Sequence, residues 1–323
     1  MNKTSSEYAE QQHHYVPRGY FRPWENAHRM VVVYERKNGR VVPPYLQSTK
    51  KICVKPGLYA YTDRIKPEVR NILEENVFQR IDSEAARVLG ILNNCDSISD
   101  VSNGDMHAFA FFIASLRIRT PEFFEMYSKS IGRRLGKLIV DSEDDPEMRD
   151  LRDAILENKG RELLAKDLMS GRLVKPISGM RWAMILIPKH IGISLLTSDR
   201  PLISDWASDA MQLLALPISP HRAIVASSNH TDIDNIMRFN KRRFAEVMNI
   251  STIQQAHTKA FAADKSHSPR FFERRLGVKH STLPFSGSFN PELIDQKIEE
   301  AAQAEAIHAA NMVARLRRMA CAD

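Results

Sequence analysis

The chain has 323 residues, more than one typical compact domain, and its 43% hydrophobic and 26% charged residues are ordinary for a soluble globular protein. This composition excludes wholesale disorder, and 13 Gly and 16 Pro exclude a collagen-like chain. The three cysteines, Cys53, Cys95 and Cys321, are too scattered to predict a disulfide framework or a Cys-x-x-C site for zinc or redox chemistry.

Residues 1–12 are polar and lack the apolar core of a secretory signal. The most apolar stretches, Phe109–Leu116 and Met184–Ile187, are far shorter than the ~20 residues needed to span a bilayer. We therefore expect a cytoplasmic protein with no membrane partner.

A β-hairpin is predicted near the amino terminus. Residues 13–24 are aromatic and basic, and they are too rich in Pro and Gly for regular structure. Met30–Tyr34 then forms a β-branched run, and Asn38 with Gly39 separates it from a second apolar pair at 41–42. Asn-Gly between two such runs favours a type I′ turn, because both central residues of that turn need positive φ.

Helical periodicity dominates residues 67–170, where apolar residues recur at spacings of three and four and predict a bundle of about four helices. After Gly179 short apolar runs alternate with Pro and Ser, which predicts four strands of one sheet. These runs are Trp182–Ile187, Ile193–Thr197, Leu213–Leu216 and Ala223–Ser227. Helices are then predicted from Asp232 or Asp234 through the basic residues and over Ser251–Ala263, and Asn290 with Pro291 marks the start of a long C-terminal helix.

These patterns predict an α+β fold with an N-terminal β-hairpin, a helical bundle, a small central β-sheet of about four or more strands and a long C-terminal helix. The predicted units are a polar arm over 1–12, the hairpin over 13–66, the bundle over 67–178, a sheet with basic helices over 179–264 and an irregular basic segment with the C-terminal helix over 265–323. Residues 13–264 are expected to form one compact unit. The C-terminal helix is Ala-rich on its surface, so it is a candidate contact for an oligomer.

The positive charge of the chain is concentrated in one stretch. The whole sequence has a net charge of +7, and residues 236–280 hold ten Lys and Arg against three Asp and Glu, which leaves the same +7 in this segment. Such a segment suits a phosphate-binding surface, although a solvated helix face is the commoner explanation of a charge cluster. Nucleic acid is therefore a candidate partner through residues 236–280, with Arg238, Lys241, Arg242 and Arg243 as candidate phosphate-binding residues.

Several short motifs resemble one known family. They are His14-Tyr15-Val16-Pro17 followed by Tyr20-Phe21 and Trp24, Arg119-Thr120-Pro121, Thr197–Pro201, Pro217–Pro220, and Asn249 with Ala256. Together they resemble DUF4238, a bacterial family of uncharacterised proteins with an N-terminal His-Tyr-Val-Pro segment, over roughly residues 13–262. The resemblance implies an α+β protein and brings no established reaction. The family usually has Asn where Arg200 stands.

His14 and Asp199 are the candidate catalytic residues. His14 precedes a Pro-fixed, aromatic-flanked turn that would hold its imidazole in place, and imidazole titrates near neutral pH. Asp199 follows an apolar run at a strand end, a position that often carries catalytic carboxylates. For His14 the alternative is a surface or hydrogen-bonded histidine, and for Asp199 it is ordinary turn chemistry before Pro201.

Arg119 and Asn249 are candidate substrate-binding residues. A guanidinium can hold a phosphate or a carboxylate, but Arg119 could equally tie helices together through Glu75 or Glu122. Asn249 could contact substrate or bond the loops of the sheet from a buried position. A divalent metal is a possible cofactor. His14 could then act as a metal ligand instead of a general base, and Asp199 as a metal ligand instead of a carboxylate that orients His14, but the sequence does not identify the ligand set.

Two hypotheses about function remain open. The chain lacks the motifs of P-loop ATPases, Rossmann dehydrogenases, α/β-hydrolases and zincins. The first hypothesis is a nucleic-acid-directed hydrolase of the phosphodiesterase or nuclease type that uses His14 and Asp199. The second is a non-catalytic module that binds nucleic acid or protein, in which His14, Arg119, Asp199 and Asn249 form a buried structural lock.

Overall fold

The computed structural model describes residues 11–61, 71–138, 146–207 and 210–277. The strands are β1 (Gln12–His14), β2 (Met30–Lys37), β3 (Arg40–Val41), β4 (Tyr45–Ser48), β5 (Val54–Pro56), β6 (Arg181–Leu186), β7 (Thr197–Ser198), β8 (Ile203–Ala207), β9 (Ala210–Ser219), β10 (Arg222–Ser227) and β11 (Lys259–Ala262). The α-helices are α1 (Gln79–Asn94), α2 (Asn103–Ile118), α3 (Pro121–Leu138), α4 (Pro146–Met169), α5 (Lys175–Ser178), α6 (His230–Arg238), α7 (Lys241–Gln255) and α8 (Pro269–Glu273). This content confirms the predicted α+β class.

The predicted hairpin is confirmed and is part of a larger sheet. β2 and β3 pair antiparallel around Asn38 and Gly39, whose φ angles of 49° and 78° are those that an Asn-Gly turn requires. β2 also pairs with β4 and with β11, and β11 pairs with β7. β2 is buried because it lies inside this sheet, which explains its continuous run of Val residues.

The predicted helical bundle is confirmed as α1 to α4. A short π-helix, Glu74–Phe78, leads directly into α1. The N-cap of α2 is Ser102, whose hydroxyl accepts a hydrogen bond from the Asp105 amide at 3.1 Å.

The central sheet has the predicted four strands, in the order β6-β10-β9-β8. The prediction that Ile193–Thr197 supplies one of them was wrong, and β8 takes that place. The backbone amides of Leu195 and Leu196 bond to Pro220 and to the Asn249 side chain instead of to a strand. Of this predicted strand, only the end pairs as a strand in the structure. It forms part of β7, which pairs with β11 in the sheet that contains β2.

The prediction of one helix over Ser251–Ala263 was also wrong, because α7 ends at Gln255 and β11 follows. The Ala, Lys and Phe residues of β11 are compatible with a helix or a strand. Pairing with β2 along the whole length of β11 makes this segment a strand. The helix predicted through the basic residues is likewise interrupted. α6 ends at Arg238, and Asn240 caps α7 by accepting a hydrogen bond from the Arg243 amide at 3.1 Å.

The aromatic N-terminal segment packs into the main hydrophobic core. Tyr20, Phe21 and Trp24 are almost completely buried, in one cluster with side chains of the helical bundle and of both larger sheets. The Trp24 indole donates to the carbonyl of Leu195 at 2.9 Å, and the Tyr20 hydroxyl donates to that of Pro217 at 2.6 Å. These three buried rings, together with the hydrogen bonds of Tyr20 and Trp24, fix the segment against the sheets.

Residues 1–10 of the predicted arm, and the predicted C-terminal helix with its oligomer contact, lie outside the described residues. Within the described ranges, no helix combines the length and the apolarity that crossing a bilayer requires.

Candidate functional site

Asp199 lies just after β7 and is 1% exposed. Its carboxylate accepts hydrogen bonds from three consecutive backbone amides at the start of β11: His257 at 2.7 Å, Thr258 at 2.9 Å and Lys259 at 3.0 Å. The Thr258 hydroxyl donates a fourth bond at 3.4 Å. Burial raises the pKa of Asp199, and the three amides oppose that rise. Both carboxylate oxygens are therefore committed to holding the turn between α7 and β11.

Tyr15, in the N-terminal segment, lies close enough to Asp199 for the carboxylate to act on its phenol. Tyr15 directly follows His14, the last residue of β1. Burial raises the pKa of the Tyr15 phenol, and the neighbouring Cys53 and Asp199 add to the rise. No hydrogen bond joins His14 to Asp199 in the described part of the chain.

Asn249 is a buried residue of α7. Its Oδ1 accepts from the amide of Leu196 at 2.8 Å, and its Nδ2 donates to the carbonyl of Ser194 at 2.8 Å. The amide group therefore replaces the strand partner that residues 194–196 lack, and it fastens α7 to the segment that leads into β7.

Arg119 follows α2 and is completely buried. Its guanidinium donates to both carboxylate oxygens of Asp82 on α1, and to the carbonyl of His14 at 2.6 Å. The Cζ atom lies 4.6 Å from the ring centroid of Phe78, and the Tyr59 ring is also close. Burial opposes the charge, but Asp82, Tyr59 and Glu74 together outweigh it and raise the pKa of Arg119. Arg119 thus joins α1 and α2 to the N-terminal segment.

The predicted partners of Arg119, Glu75 or Glu122, were wrong. Asp82 lies one helical turn after Phe78, so its carboxylate and the Phe78 ring face the same side and together receive the guanidinium. Glu122 pairs instead with Arg200 at 2.8 Å and with His257 at 3.2 Å, next to the turn that Asp199 holds.

The imidazole of His14 lies near Thr49 and Arg18. Burial lowers the pKa of His14, and the charge of Arg119 adds to this effect. Its Nε2 atom is buried without a hydrogen-bond partner in the described residues. His13 accepts a bond from the Tyr59 amide at 3.0 Å, and burial lowers its pKa to about 4. Both histidines are therefore uncharged at neutral pH.

Glu74 is a buried acid that the sequence analysis missed. It is 7% exposed, and its Oε2 atom has no hydrogen-bond partner in the described part of the chain. Burial raises the pKa of Glu74 to about 7, against the charge of Arg119. The signal was present in the spacing, because Glu74 lies four residues before Phe78 and therefore on the buried face of its helix.

The basic turn, residues 238–243, joins α6 to α7 and is largely exposed. Arg238 makes no hydrogen bond or ion pair within the described ranges, and Phe239 beside it is 44% exposed. Arg242 donates to the carbonyl of Ile191 at 2.9 Å, Lys241 donates to that of Met237 at 2.9 Å, and Arg243 pairs with Glu246 at 3.2 Å.

Other basic residues of the segment 236–280 are used inside the fold. Lys259 lies in β11 and pairs with Glu35 at 3.4 Å, and the Arg275 guanidinium lies 5.0 Å from the ring centroid of Phe271. Lys265, Arg270 and Arg274 are exposed and, like Arg238, make no side-chain hydrogen bond or ion pair within the described ranges. Unpaired positive charge therefore lies at the basic turn and also along residues 265–274.

A cleft of about 360 Å³ opens beside the basic turn. Arg243 and Asn249 line it together with Ser266, His267 and Phe271, which follow β11.

No group of three or more His, Cys, Asp or Glu side chains in the described ranges is arranged to hold a metal ion.

The fold and these buried polar contacts define an α+β protein whose N-terminal segment is fixed to a helical bundle and two sheets. Residues 12–266 match the family described as Protein of unknown function (DUF4238), so the chain belongs to that family, as its motifs predicted. No curated protein matches the chain, and no solved structure does. His267 and Phe271, which line the cleft, lie beyond the matched residues.

We predict that Asp199→Ala lowers the free energy of unfolding by at least about 1–3 kcal/mol, because three buried amides lose their acceptor. Asp199→Asn keeps one acceptor oxygen and should lose less. Asp234→Ala is the matched control, since it removes an exposed pair with Arg181 that contributes ~0–1 kcal/mol. The measurement is urea unfolding of the full chain; equal midpoints for Asp199→Ala and Asp234→Ala would contradict the structural role.

Proposed function

We propose that this protein binds nucleic acid through the basic turn, and that Arg119, Asp199 and Asn249 form a structural lock in which Arg119 holds the N-terminal segment and Asp199 and Asn249 hold this surface in place. The proposal develops the second hypothesis of the sequence analysis. It assigns no reaction to Asp199, because both oxygens of that carboxylate already accept hydrogen bonds from the protein.

The observation that carries the proposal is the pairing of an unengaged arginine with an exposed aromatic ring. Arg238 and Phe239 are adjacent, and neither is used by the fold: the guanidinium has no partner among the described residues and the ring is 44% exposed. Arginine binds phosphate oxygens, and an exposed ring offers a stacking surface for bases. A purely solvated helix face has no need of the exposed ring.

Further positive charge supports the same surface. The bond from Arg242 to the Ile191 carbonyl holds residues 189–191 against the basic turn, and Lys189 and His190 on that segment are exposed. The first turn of α7 adds backbone amides whose dipoles favour an anion. Phosphate groups are therefore the ligand chemistry that the surface suits best.

The lock explains how the surface is held. Asn249 fastens α7 to residues 194–196, and Asp199 holds the turn that follows α7. The basic turn at the start of α7 is thereby kept at a fixed position relative to the sheets, which lowers the entropy lost on binding.

We predict that Arg238→Gln/Arg242→Gln weakens nucleic-acid binding and reduces its salt dependence. Each lost phosphate contact should lower the slope of log K against log salt by about 0.9 on duplex DNA. The slope is measured by fluorescence anisotropy with a labelled 20-base-pair duplex across a salt series.

Arg80→Gln/Lys50→Gln is the matched control. Both residues are exposed, the change in net charge is the same, and they lie on α1 and on a short 3-10 helix at 49–51. The control should keep the slope of the unmodified protein. If both double variants change the slope equally, the basic turn is not the binding surface.

A further inference from the structure

The cleft beside the basic turn has two facing walls. Arg243 and Glu246 of α7 lie on one side, and Ser266, His267 and Phe271 lie on the other. Gly192 adds to the lining just after the exposed residues 189–191. The cleft is therefore continuous with the surface proposed to bind phosphates, because Arg243 belongs to both.

We propose that this cleft receives one unstacked base of a single-stranded nucleic acid whose backbone lies on the basic turn. The inference rests on the proposed function and deepens it, since it names the class of nucleic acid. The cleft has a volume of about 360 Å³, at the lower end of the range for small-molecule sites. A space of this size suits one nucleoside and is too small for a duplex or an α-helix.

Two rings supply the stacking surface. The His267 and Phe271 rings are nearly parallel, at an interplanar angle of 24° and with centroids 6.2 Å apart. Burial lowers the pKa of His267, so its imidazole is a neutral ring at neutral pH. Arg275 lies over one face of the Phe271 ring, 5.0 Å from its centroid, and the His267 imidazole is in hydrogen-bond contact with the Ser194 hydroxyl at 3.4 Å, so both rings are held in place. Bases stack on rings held in this way in many proteins that bind single strands.

The facing wall supplies the polar contacts. Glu246 is paired with Arg243 at 3.2 Å, and its carboxylate can accept a hydrogen bond from an exocyclic amino group of a base. Cytosine has such a group and thymine has none. Asn249 forms part of the wall only, because both ends of its amide bond to residues 194 and 196. The cleft therefore favours cytosine over thymine.

The test compares three labelled probes with the full-length chain at one salt concentration: a 12-nucleotide oligo-dC, a 12-nucleotide oligo-dT and a 12-base-pair duplex. We expect oligo-dC to bind more tightly than oligo-dT. Phe271→Leu keeps the apolar bulk without the ring and should weaken oligo-dC binding about 5- to 100-fold while leaving duplex binding unchanged. Phe271→Tyr keeps the ring and should retain the affinity for oligo-dC.

The outcomes separate this inference from the proposed function. If Phe271→Leu leaves the ratio of single-strand to duplex affinity unchanged while Arg238→Gln/Arg242→Gln still weakens all binding, the base-binding cleft is wrong and the phosphate surface stands. If Arg238→Gln/Arg242→Gln binds every probe as well as the unmodified chain, or no probe binds, both proposals fail. A melting temperature for each variant confirms that it is folded.

Discussion

The position of α7 depends on two buried side chains that supply hydrogen bonds to irregular backbone. The amides of Leu196 and of residues 257–259, and the carbonyl of Ser194, bond to side chains instead of to a neighbouring strand, and backbone groups inside a fold must be bonded. The Asn249 side chain bonds to the backbone of residues 194 and 196, and the Asp199 carboxylate bonds to the backbone of residues 257–259. Arg119 plays a corresponding part for the N-terminal segment, because its guanidinium bonds to Asp82 of α1 and to the carbonyl of His14 at once. The exposed basic turn and the cleft are both positioned by this internal framework.

The sequence correctly predicted the elements whose secondary structure is determined by their own local residues. Asn38 and Gly39 specify a hairpin because only a primed turn tolerates both positive φ angles, and the four long helices follow from periodic apolar residues. The errors fall where long-range pairing decides. Lys259–Ala262 is a strand because β2 lies beside it, and Ile193–Leu196 is irregular because Asn249 and Pro220 take its amides. Neither influence is visible within a few residues of the segment concerned.

The candidate site was predicted in part, for a related reason. Polar residues before turns and at strand ends were recognised, but the partners of Asp199 and Asn249 are backbone groups, and every residue type carries those. The partner of Arg119 is different, since Asp82 and Phe78 lie one helical turn apart and their spacing indicates a shared face. Glu74 was missed although the same spacing rule places it on the buried side. Its unpaired oxygen and raised pKa mark a place where the protein keeps an unfavourable group, which is a common property of functional sites.

Hydrogen–deuterium exchange on the full chain, with and without a saturating single-stranded oligonucleotide, tests the central claim most directly, because it reports where the ligand is bound without any substitution. The account predicts slower exchange at the basic turn, at residues 189–193 and around residues 266–271, with the amides of 257–259, which bond to Asp199, unchanged between the two states. Protection confined to residues 71–82 or to the N-terminal strand, with no change at the basic turn, would contradict it.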